Sequence, residues 1–503
     1  MKKKSGREKI IILLILSVLV LGCVVTEAVR RKMTSQNEDK KELTLQEETL
    51  QEKSNGSQKK VSDHTKVKVL LTTSDFSSIF HDKIRVTSSK PFVVSVNGKE
   101  KKYRAGAVFT YRASDQGYHK KRIVIKPSDG ARLKVLSIKR QNIHPAYRGA
   151  LKISWRKKGL LLTNILPIEE YLYAVVPSEI STSDKMDALK AQAVCARSYA
   201  YRQIRSSRYA AYHADVEDSV ACQVYNNVPE NARSRKAVNS TKGMVLTDAK
   251  GEVIQTYYYS TSWGYSASGK DVWSTSADIS YLPEKLQVVK GSRKRGADVD
   301  LSDEVSFKQK IDKPAYDTYD SDSPWYRWHM TVSQKNLSAR ITNLVEQCYA
   351  ADEEQILTQT KSGSYRSGAI KPLGKIKKIR VEKREKSGIV TELVLVGEKN
   401  VIKVCTQYNI RKVLGSIYET ISYDHGKAKT SLNLLPSAAF YVVLTQKHGK
   451  PAFMFVGGGF GHGTGMSQSG AAKMAESGMD YKEILAHYFT GTGIRLFADV
   501  ANR

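Results

Sequence analysis

A run from Ile10 to Val25, with Ser17 as its one hydroxyl residue and no charge, is the apolar feature that most limits what this chain can fold into. Lysines and an arginine precede it, and Glu27 and then the basic residues 30–32 follow it. A charged region before a hydrophobic segment is typical of an export signal or a membrane anchor. Residues 26–29 extend the run towards the roughly 20 residues that cross a bilayer. We therefore predict a cytoplasmic tail over 1–9 and one transmembrane helix over 10–29.

This segment can be interpreted as an uncleaved signal anchor or as a lipoprotein signal. No small-x-small cleavage site follows it, which favours an uncleaved signal anchor. The alternative is a lipoprotein anchored at Cys23, because residues 20–23 partly match a lipoprotein-processing motif, with Leu21 where a smaller residue is usual. In both cases we expect a single-pass or lipid-anchored protein of the cell membrane whose bulk lies outside the cytoplasm.

The chain is strongly basic. Its 81 Lys and Arg against 50 Asp and Glu give a net charge of +31 over 503 residues, which suggests a polyanionic partner. Outside the cytoplasm, an anionic wall polymer or membrane leaflet replaces nucleic acid as the expected partner. The four cysteines after residue 23 contain no CxxC, so their spacing predicts neither a zinc ribbon nor a disulfide framework.

The pattern of residue types along the chain predicts an α+β fold. Residues 30–62 read as a flexible stalk, because they hold no aromatic residue and many charges. Short β-type runs then predict a β-rich module over 63–160, with a hairpin turn at Asn97-Gly98. We expect a mixed α/β catalytic region over 161–285 and 431–503, split by an insertion or subdomain at 286–430.

Two helix starts are marked in the sequence. Asp184 is a candidate N-cap for an amphipathic helix that runs to about Ile204, whose apolar stripe consists mostly of small residues. Asp480 and Glu483 form a capping box that opens the last of two short helices. The small-residue stripe predicts close packing against a neighbouring element.

Glu179 is the first candidate for chemistry. It follows an apolar stretch, and a carboxyl placed among Val175, Val176 and Ile180 would lose solvation, which raises its pKa and suits a general acid. Arg197 has the planar fork that binds acidic or acetamido-sugar groups. The alternative is that Glu179 caps a turn and Arg197 forms a structural ion pair.

Three further clusters are ambiguous by themselves. His462 lies in the Gly-rich loop 457–465, where it could bind substrate, orient a catalytic group, ligate metal or serve structure. Tyr and Trp side chains over 257–273 can stack on sugars, although aromatic strands are more often core. The third of these clusters, 218–225, has His213 nearby.

Several long blocks, in one order, resemble the SpoIID/LytB family of sporulation stage II protein D lytic transglycosylases and amidase enhancers. They are the block 166–180, which begins Leu-Pro-x-Glu-x-Tyr-Leu, the block 188–200, which begins Ala-Leu-Lys-Ala-Gln-Ala-Val-x-Ala-Arg, Gln-Val-Tyr at 223–225, and the block 459–471, which begins Gly-Phe-Gly-His-Gly-x-Gly-Met-Ser-Gln. The resemblance covers roughly 150–285 and 435–495 and leaves 286–430 unmatched.

The resemblance implies that Glu179 is the catalytic acid/base. It also implies substrate contacts in the groove, which we assign to Arg197, Ser260, Ser262, Tyr265, Lys270, His462 and Gln468. Some clostridial relatives bind zinc before the Gln-Val-Tyr element. Here only Cys222 and His213 are candidates and the ligand set is incomplete, so we expect no metal and no other cofactor.

The predicted function is lytic transglycosylation of peptidoglycan glycan strands, which leaves 1,6-anhydro-N-acetylmuramic acid ends, in sporulation or wall remodelling. One alternative is a non-catalytic wall-binding protein that enhances a partner amidase. Another is a zinc-dependent wall hydrolase that uses His213, Cys222 and His462.

Overall fold

The computed structural model describes residues 65–128, 130–275, 279–290, 300–313, 317–417, 420–423 and 432–501. The predicted tail, transmembrane helix and stalk, together with Cys23, lie outside these residues. Among the residues that are described, no helix is both long enough and apolar enough to cross a membrane.

The strands are short and are distributed over the whole described chain. They are β1 Lys66–Leu71, β2 Lys83–Thr87, β3 Phe92–Val96, β4 Lys99–Tyr103, β5 Phe109–Arg112, β6 Ile123–Pro127, β7 Leu133–Val135, β8 Ala146–Tyr147, β9 Ala150–Arg156, β10 Gly159–Pro167, β11 Val216–Glu217, β12 Met244–Thr247, β13 Tyr258–Tyr259, β14 Tyr265–Ser266, β15 Lys285–Leu286, β16 Trp328–Ser333, β17 Ile356–Gln359, β18 Tyr365–Ser367, β19 Ile376–Arg384, β20 Val390–Gly397, β21 Val401–Cys405, β22 Ser422–Tyr423, β23 Phe440–Lys447, β24 Lys450–Gly457, β25 Met466–Ser467 and β26 Gly493–Leu496.

The α-helices concentrate between residues 168 and 240 and near the C-terminal end. They are α1 Ile168–Glu179, α2 Met186–Arg205, α3 Ala232–Ser240, α4 Gly269–Trp273, α5 Glu304–Asp312, α6 Gln334–Tyr349, α7 Gln407–Val413, α8 Gln468–Glu476, α9 Tyr481–Tyr488 and α10 Phe497–Ala501. Strands and helices together confirm the mixed composition that the sequence predicts.

The largest sheet joins the N-terminal strands to the region that carries the family blocks. Its order is β11-β1-β10-β9-β6-β3-β4, and β3 and β4 form the hairpin predicted at Asn97-Gly98, where both residues have positive φ (49° and 86°). Strand β11 adds in parallel beside β1. A second sheet, β5-β2-β7-β8, packs with it.

One hydrophobic core extends from these sheets into the helices. Val69 and Ile153 from the sheet share it with Leu172 of α1, Leu189 of α2 and Leu485 of α9, all at most 1% exposed. Burial of this apolar surface is the main force that fixes the helices on the sheet. The position of α1, and of Glu179 at its end, therefore depends on strands more than 80 residues away in sequence.

Helix α2 packs through small residues, as its sequence predicts. Ala188, Ala193, Ala196 and Ala200 are fully buried, and α2 contacts α1, α3, α8 and α9. The predicted cap is wrong, however: the residue before the helix is Lys185, which makes no capping side-chain bond. Helix α1 was not predicted at all, because Pro177 lies within its last turn.

Residues 286–430 do not stand apart from the second half of the family region. Strand β16 pairs with β24 along its length, from Trp328 opposite Gly457 to Ser333 opposite Ala452. The five-stranded sheet β18-β17-β21-β20-β19 contains the antiparallel pair of β19 and β20. Helix α6 and this sheet share a second core with Phe453 and Phe455 of β24.

Helix α9 confirms the predicted capping box. A carboxylate oxygen of Asp480 accepts hydrogen bonds from the backbone N–H groups of Lys482 (2.8 Å) and Glu483 (2.9 Å), and the side chain of Glu483 accepts from the N–H of Asp480 at 3.0 Å. These bonds satisfy N–H groups that have no partner within the helix.

Candidate functional site

A cleft of about 360 Å³ lies at the C-terminal end of helix α1. Four segments that are distant in sequence form its walls: residues 179–184, Ser260, the segment 319–324 and helix α8, 468–476. Segment 319–324 belongs to the part of the chain that the family resemblance leaves unmatched. The cleft therefore needs residues 286–430 to be complete.

Glu179 lies at this cleft as the last residue of α1, and its carboxyl is fixed from one side. The backbone N–H of Val224 donates a 2.6 Å hydrogen bond to Oε1 of Glu179. Val224 itself is positioned because the hydroxyl of neighbouring Tyr225 donates to Asn164 of β10 at 2.8 Å. The Gln-Val-Tyr element thus acts as a support for the glutamate.

Burial controls the protonation of Glu179. Loss of solvation raises its pKa from 4.5 to about 7, and the Val224 N–H, the Tyr258 hydroxyl and the Gln468 amide oppose this shift only in part. Near neutral pH the side chain is therefore present in both protonated and ionised forms. A carboxyl of this kind can donate a proton and later accept one.

Polar side chains surround Glu179 on the protein side. Besides Tyr258 and Gln468, the fully buried Gln192 of α2 accepts a long hydrogen bond (3.4 Å) from Gln468. Tyr258 is not among the individual site residues that the sequence predicts. The alternation of side chains along β13 is the signal that could have separated Tyr258 from its aromatic neighbours.

Arg197 does not make the predicted substrate contact, because its side chain is buried. It is 0% exposed. Nε and Nη2 bond the carboxylate of Glu169 at 2.9 and 2.7 Å, while Nη1 and Nη2 donate to the carbonyls of Ala193, Val238 and Met244. These five bonds occupy all five donors of a guanidinium. Arg197 joins α1, α2, α3 and β12, which is the structural ion pair weighed as the alternative.

Ser262 and Tyr265 are also buried rather than presented to a ligand. The backbone N–H and the hydroxyl of Ser262 donate to the buried carboxylate of Asp320 at 2.9 and 2.8 Å. Tyr265 is 3% exposed and packs in a core cluster with Trp263 and Phe307. Their predicted substrate contacts are therefore wrong: Ser262 serves the Asp320 network, and Tyr265 serves the core.

Lys270 and His462 do not line the cleft. Lys270 is exposed on the short helix α4. The His462 ring lies against Tyr257, Tyr259 and Trp273, with ring centroids 5.3–6.1 Å apart. Tyr257 and Tyr259 alternate with Tyr258, the β13 residue whose hydroxyl faces Glu179. His462 and Glu179 therefore lie on opposite faces of the chain at β13.

His462 is a poor acid or base in this position. Burial, aided by the charge of Arg411, lowers its pKa to about 3. Its Nδ1 accepts a hydrogen bond from the backbone N–H of Thr464 at 3.2 Å. The neutral ring thus stabilises the Gly-rich loop instead of contacting a ligand in the cleft, which corrects its predicted role.

Ser260 and Gln468, in contrast, lie in the cleft with Glu179. Their predicted substrate contacts agree with this placement. Ser260 also ties two walls together, because its carbonyl accepts a 2.9 Å hydrogen bond from the backbone N–H of Ser469.

The residues considered for zinc do not form a ligand set. His213 is exposed in a left-handed turn, and the Cys222 thiol lies 3.6 Å from the Tyr209 hydroxyl. Throughout the part of the chain that the structure describes, no three His, Cys, Asp or Glu side chains are grouped so that they could hold a metal ion. The zinc-hydrolase hypothesis is therefore not supported by the geometry.

The ionisable residues of the cleft are mainly acidic, in a chain of net charge +31. Glu179, Asp184, Asp322 and Glu476 line it together with Lys473. Lys473 pairs with Asp322 at 2.5 Å and lies 3.9 Å from Glu476. The excess of lysine and arginine is therefore located elsewhere and does not serve the cleft directly.

These features define an α+β protein whose site is a cleft with one carboxyl poised for acid–base chemistry. The family described as SpoIID, Stage II sporulation protein, matches residues 156–247, which include Glu179 and Val224. Together with the relatives below, this match supports the resemblance to the SpoIID/LytB family that the sequence blocks indicate.

Two relatives illustrate the range of the family. The amidase enhancer of Bacillus subtilis (strain 168) is 29% identical over 322 residues, which are 64% of this chain and 40% of the enhancer. Stage II sporulation protein D of the same organism is 27% identical over 372 residues, which are 70% of this chain and 82% of that protein. This chain thus spans less than half of the amidase enhancer.

An uncharacterised protein of Brachyspira hyodysenteriae is similar over a longer stretch. It is 26% identical over 385 residues, 76% of this chain and 79% of that protein.

Proposed function

We propose that the chain is a peptidoglycan lytic transglycosylase that cleaves the bond between N-acetylmuramic acid and N-acetylglucosamine, with Glu179 as the catalytic residue. The observation that carries this proposal is the position of Glu179: a partly buried carboxyl in a cleft, with one oxygen held by Val224 and a pKa of about 7. The names of the relatives support a role in sporulation or in cell-wall remodelling.

The reaction needs a single carboxyl. Protonated Glu179 donates its proton to the glycosidic oxygen as the bond from that oxygen to C1 of N-acetylmuramic acid breaks. The resulting carboxylate then accepts the proton of the C6 hydroxyl of the same sugar while the C6 oxygen bonds to C1. The products are a 1,6-anhydro end and a free 4-hydroxyl, and Glu179 returns to its protonated state. A pKa near neutrality suits both proton transfers.

This mechanism agrees with the support of Glu179. The Val224 N–H occupies Oε1 and fixes the carboxyl plane, so that Oε2 is the oxygen not engaged by backbone. Fixing the acid relative to the bound glycan lowers the entropic cost of reaching the transition state.

We propose that the enzyme acts outside the cytoplasm, anchored by residues 10–29. The cleft itself carries mainly acidic groups, so the excess of basic residues lies outside it. These basic residues would retain the protein on the anionic wall. Exposed charge of this kind acts over about 10 Å at moderate salt and is screened as salt rises.

Similarity to an amidase enhancer over 64% of this chain favours one second candidate: a non-catalytic protein that binds the wall and stimulates an amidase. In that case Glu179 would be a structural residue, and its replacement by glutamine would leave stimulation of a partner amidase unchanged.

The decisive experiment incubates the full chain with purified glycan strands, with and without stem peptides, and analyses the ends by mass spectrometry. We expect anhydro ends from the parent protein and none above background from Glu179→Gln. The matched control is Glu170→Gln, a glutamate of the same helix outside the cleft, which we expect to retain activity. Simple reducing ends, or equal activity of Glu179→Gln, would contradict the proposal.

A further inference from the structure

Four hydroxyls from three distant parts of the chain meet at the cleft. Oγ1 of Thr261 lies 3.2 Å from Oγ of Ser260, 2.9 Å from Oγ of Ser323 and 3.0 Å from Oγ of Ser469. The Ser469 and Ser323 hydroxyls are 3.3 Å apart. Thr261 is 1% exposed, whereas the three serines line the cleft with Glu179. We call Ser260, Thr261, Ser323 and Ser469 the hydroxyl cluster.

The hydroxyl cluster is held in place by backbone bonds. The N–H of Ser469 donates to the carbonyl of Ser260 at 2.9 Å, and the N–H of Ser323 donates to the carbonyl of Asp320 at 2.9 Å. The Asp320 carboxylate, in turn, binds both Ser262 and Ser467. Little ordering of the protein is therefore needed when a ligand binds, which favours affinity.

The chemistry of this cluster fits a neutral polar ligand. Each hydroxyl has one proton and two lone pairs, so the four contacts within the cluster use all four protons and only half of the lone pairs. What remains are acceptors without charge, which match the O–H and N–H donors of a sugar that bears hydroxyl and acetamido groups.

The segment 319–324 supplies one of these hydroxyls from a part of the chain outside the family blocks. Asp322 of this segment pairs with Lys473 of α8 at 2.5 Å and so links the two walls beside Ser323. Because this pairing balances the charge of Asp322, the surroundings of Ser323 carry less negative charge than a carboxylate-lined wall would.

We propose that the hydroxyl cluster is a sugar subsite beside Glu179 that binds an N-acetylated amino sugar of the glycan, and that Ser323 makes residues 286–430 a determinant of substrate binding. The proposal deepens the proposed function, on which the choice of a glycan rests.

The test measures binding without turnover. In the full chain carrying Glu179→Gln, isothermal titration with the β-1,4-linked tetramer of N-acetylglucosamine gives a reference Kd. We expect Ser323→Ala and Ser469→Ala each to weaken binding about fivefold, the effect of one lost hydrogen bond. The matched control is Ser321→Ala, whose hydroxyl bonds the carbonyl of Thr318 and does not line the cleft; its Kd stays unchanged.

Two outcomes would overturn the subsite. One is a tetramer that does not bind the reference protein, or that binds both serine variants as tightly as the reference when their melting temperatures match it. The other is tighter binding of the corresponding glucosamine tetramer, insensitive to Ser323→Ala, which would mean that the acidic residues of the cleft select an amine. The proposed function fails separately, since it depends on anhydro ends formed by the chain with intact Glu179.

Discussion

The backbone N–H of Val224 donates a 2.6 Å hydrogen bond to Oε1 of Glu179, although 45 residues separate the two in sequence. This contact joins the end of helix α1 to the Gln-Val-Tyr element and places a carboxyl in the cleft wall. Both residues lie within the range that matches the SpoIID family. This hydrogen bond connects the fold to acid–base chemistry.

The rate of glycan cleavage is expected to depend on the ionisation of Glu179. Because its pKa is about 7, the protonated acid is lost above neutrality, and we expect kcat/KM to fall towards tenfold per pH unit there. Initial rates of anhydro-end formation from pH 5 to 9 check this. A profile that is flat through pH 7, or that falls only below pH 5, would contradict the assignment of Glu179 as the acid.

The pH dependence of the free energy of unfolding is also expected to reflect Glu179. Between pH 4.5 and about 7 the folded chain holds a proton on Glu179 that the unfolded chain has released, so the free energy of unfolding falls as the pH rises. The Glu179→Gln variant lacks this pH-dependent contribution to the free energy of unfolding. Relative to the variant, we expect the parent to lose up to about 3 kcal/mol across this window, at roughly 1.4 kcal/mol per unit of pKa shift.

Urea unfolding of both proteins at pH 4.5 and pH 8 provides the measurement. The difference between them isolates Glu179 from groups such as His487, whose pKa burial lowers to about 3. Equal pH dependence in the two proteins would show that the carboxyl is not desolvated in the fold.

Arg197 is expected to matter for stability more than for ligand binding. Arg197→Ala leaves the carboxylate of Glu169 and three carbonyls without their partner, and breaking a buried pair of this kind costs about 3–5 kcal/mol. The control on the same helix is Arg205→Ala, because Arg205 is partly exposed and lies 3.9 Å from Glu252; such a pair contributes about 0–1 kcal/mol. Thermal unfolding distinguishes the two, and a stable Arg197→Ala variant with weakened glycan binding would reverse our correction.

The Gly-rich loop is expected to tolerate no side chain at Gly465. Its φ is +79°, and a Cβ there would lie 2.1 Å from the carbonyl oxygen of Tyr257, so we expect Gly465→Ala to destabilise the chain by more than about 2 kcal/mol. Gly478 has a similar φ of +90° but open space around it. Gly478→Ala therefore measures backbone strain alone, and an equal loss in both variants would refute the steric argument.

Local features of the fold could be predicted where neighbouring residues decide the outcome. The Asn97-Gly98 turn and the Asp480 capping box depend on contacts within four residues, and the helical spacing of alanines marks the buried face of α2. The cap at Asp184 and the missed helix α1 show the limit, because a packed core holds α1 helical in spite of Pro177.

In the candidate site, too, some features could be predicted from the local sequence and others could not. The sequence by itself determined that Glu179 stands among apolar residues, which predicts a raised pKa once the fold buries this stretch. It also placed Ser260 and Gln468 among the candidates, and both lie in the cleft.

Only the tertiary structure decided which polar residues turn inward. Arg197 and Ser262 carry groups that suit a substrate, yet each is buried against a carboxylate, Glu169 and Asp320, that comes from another part of the chain. Conversely, Ser323 joins the cleft from a segment with no recognisable motif. The physical reason is that a buried polar group must find a partner wherever the fold brings one, and such partners are set by packing between distant segments rather than by their spacing in sequence.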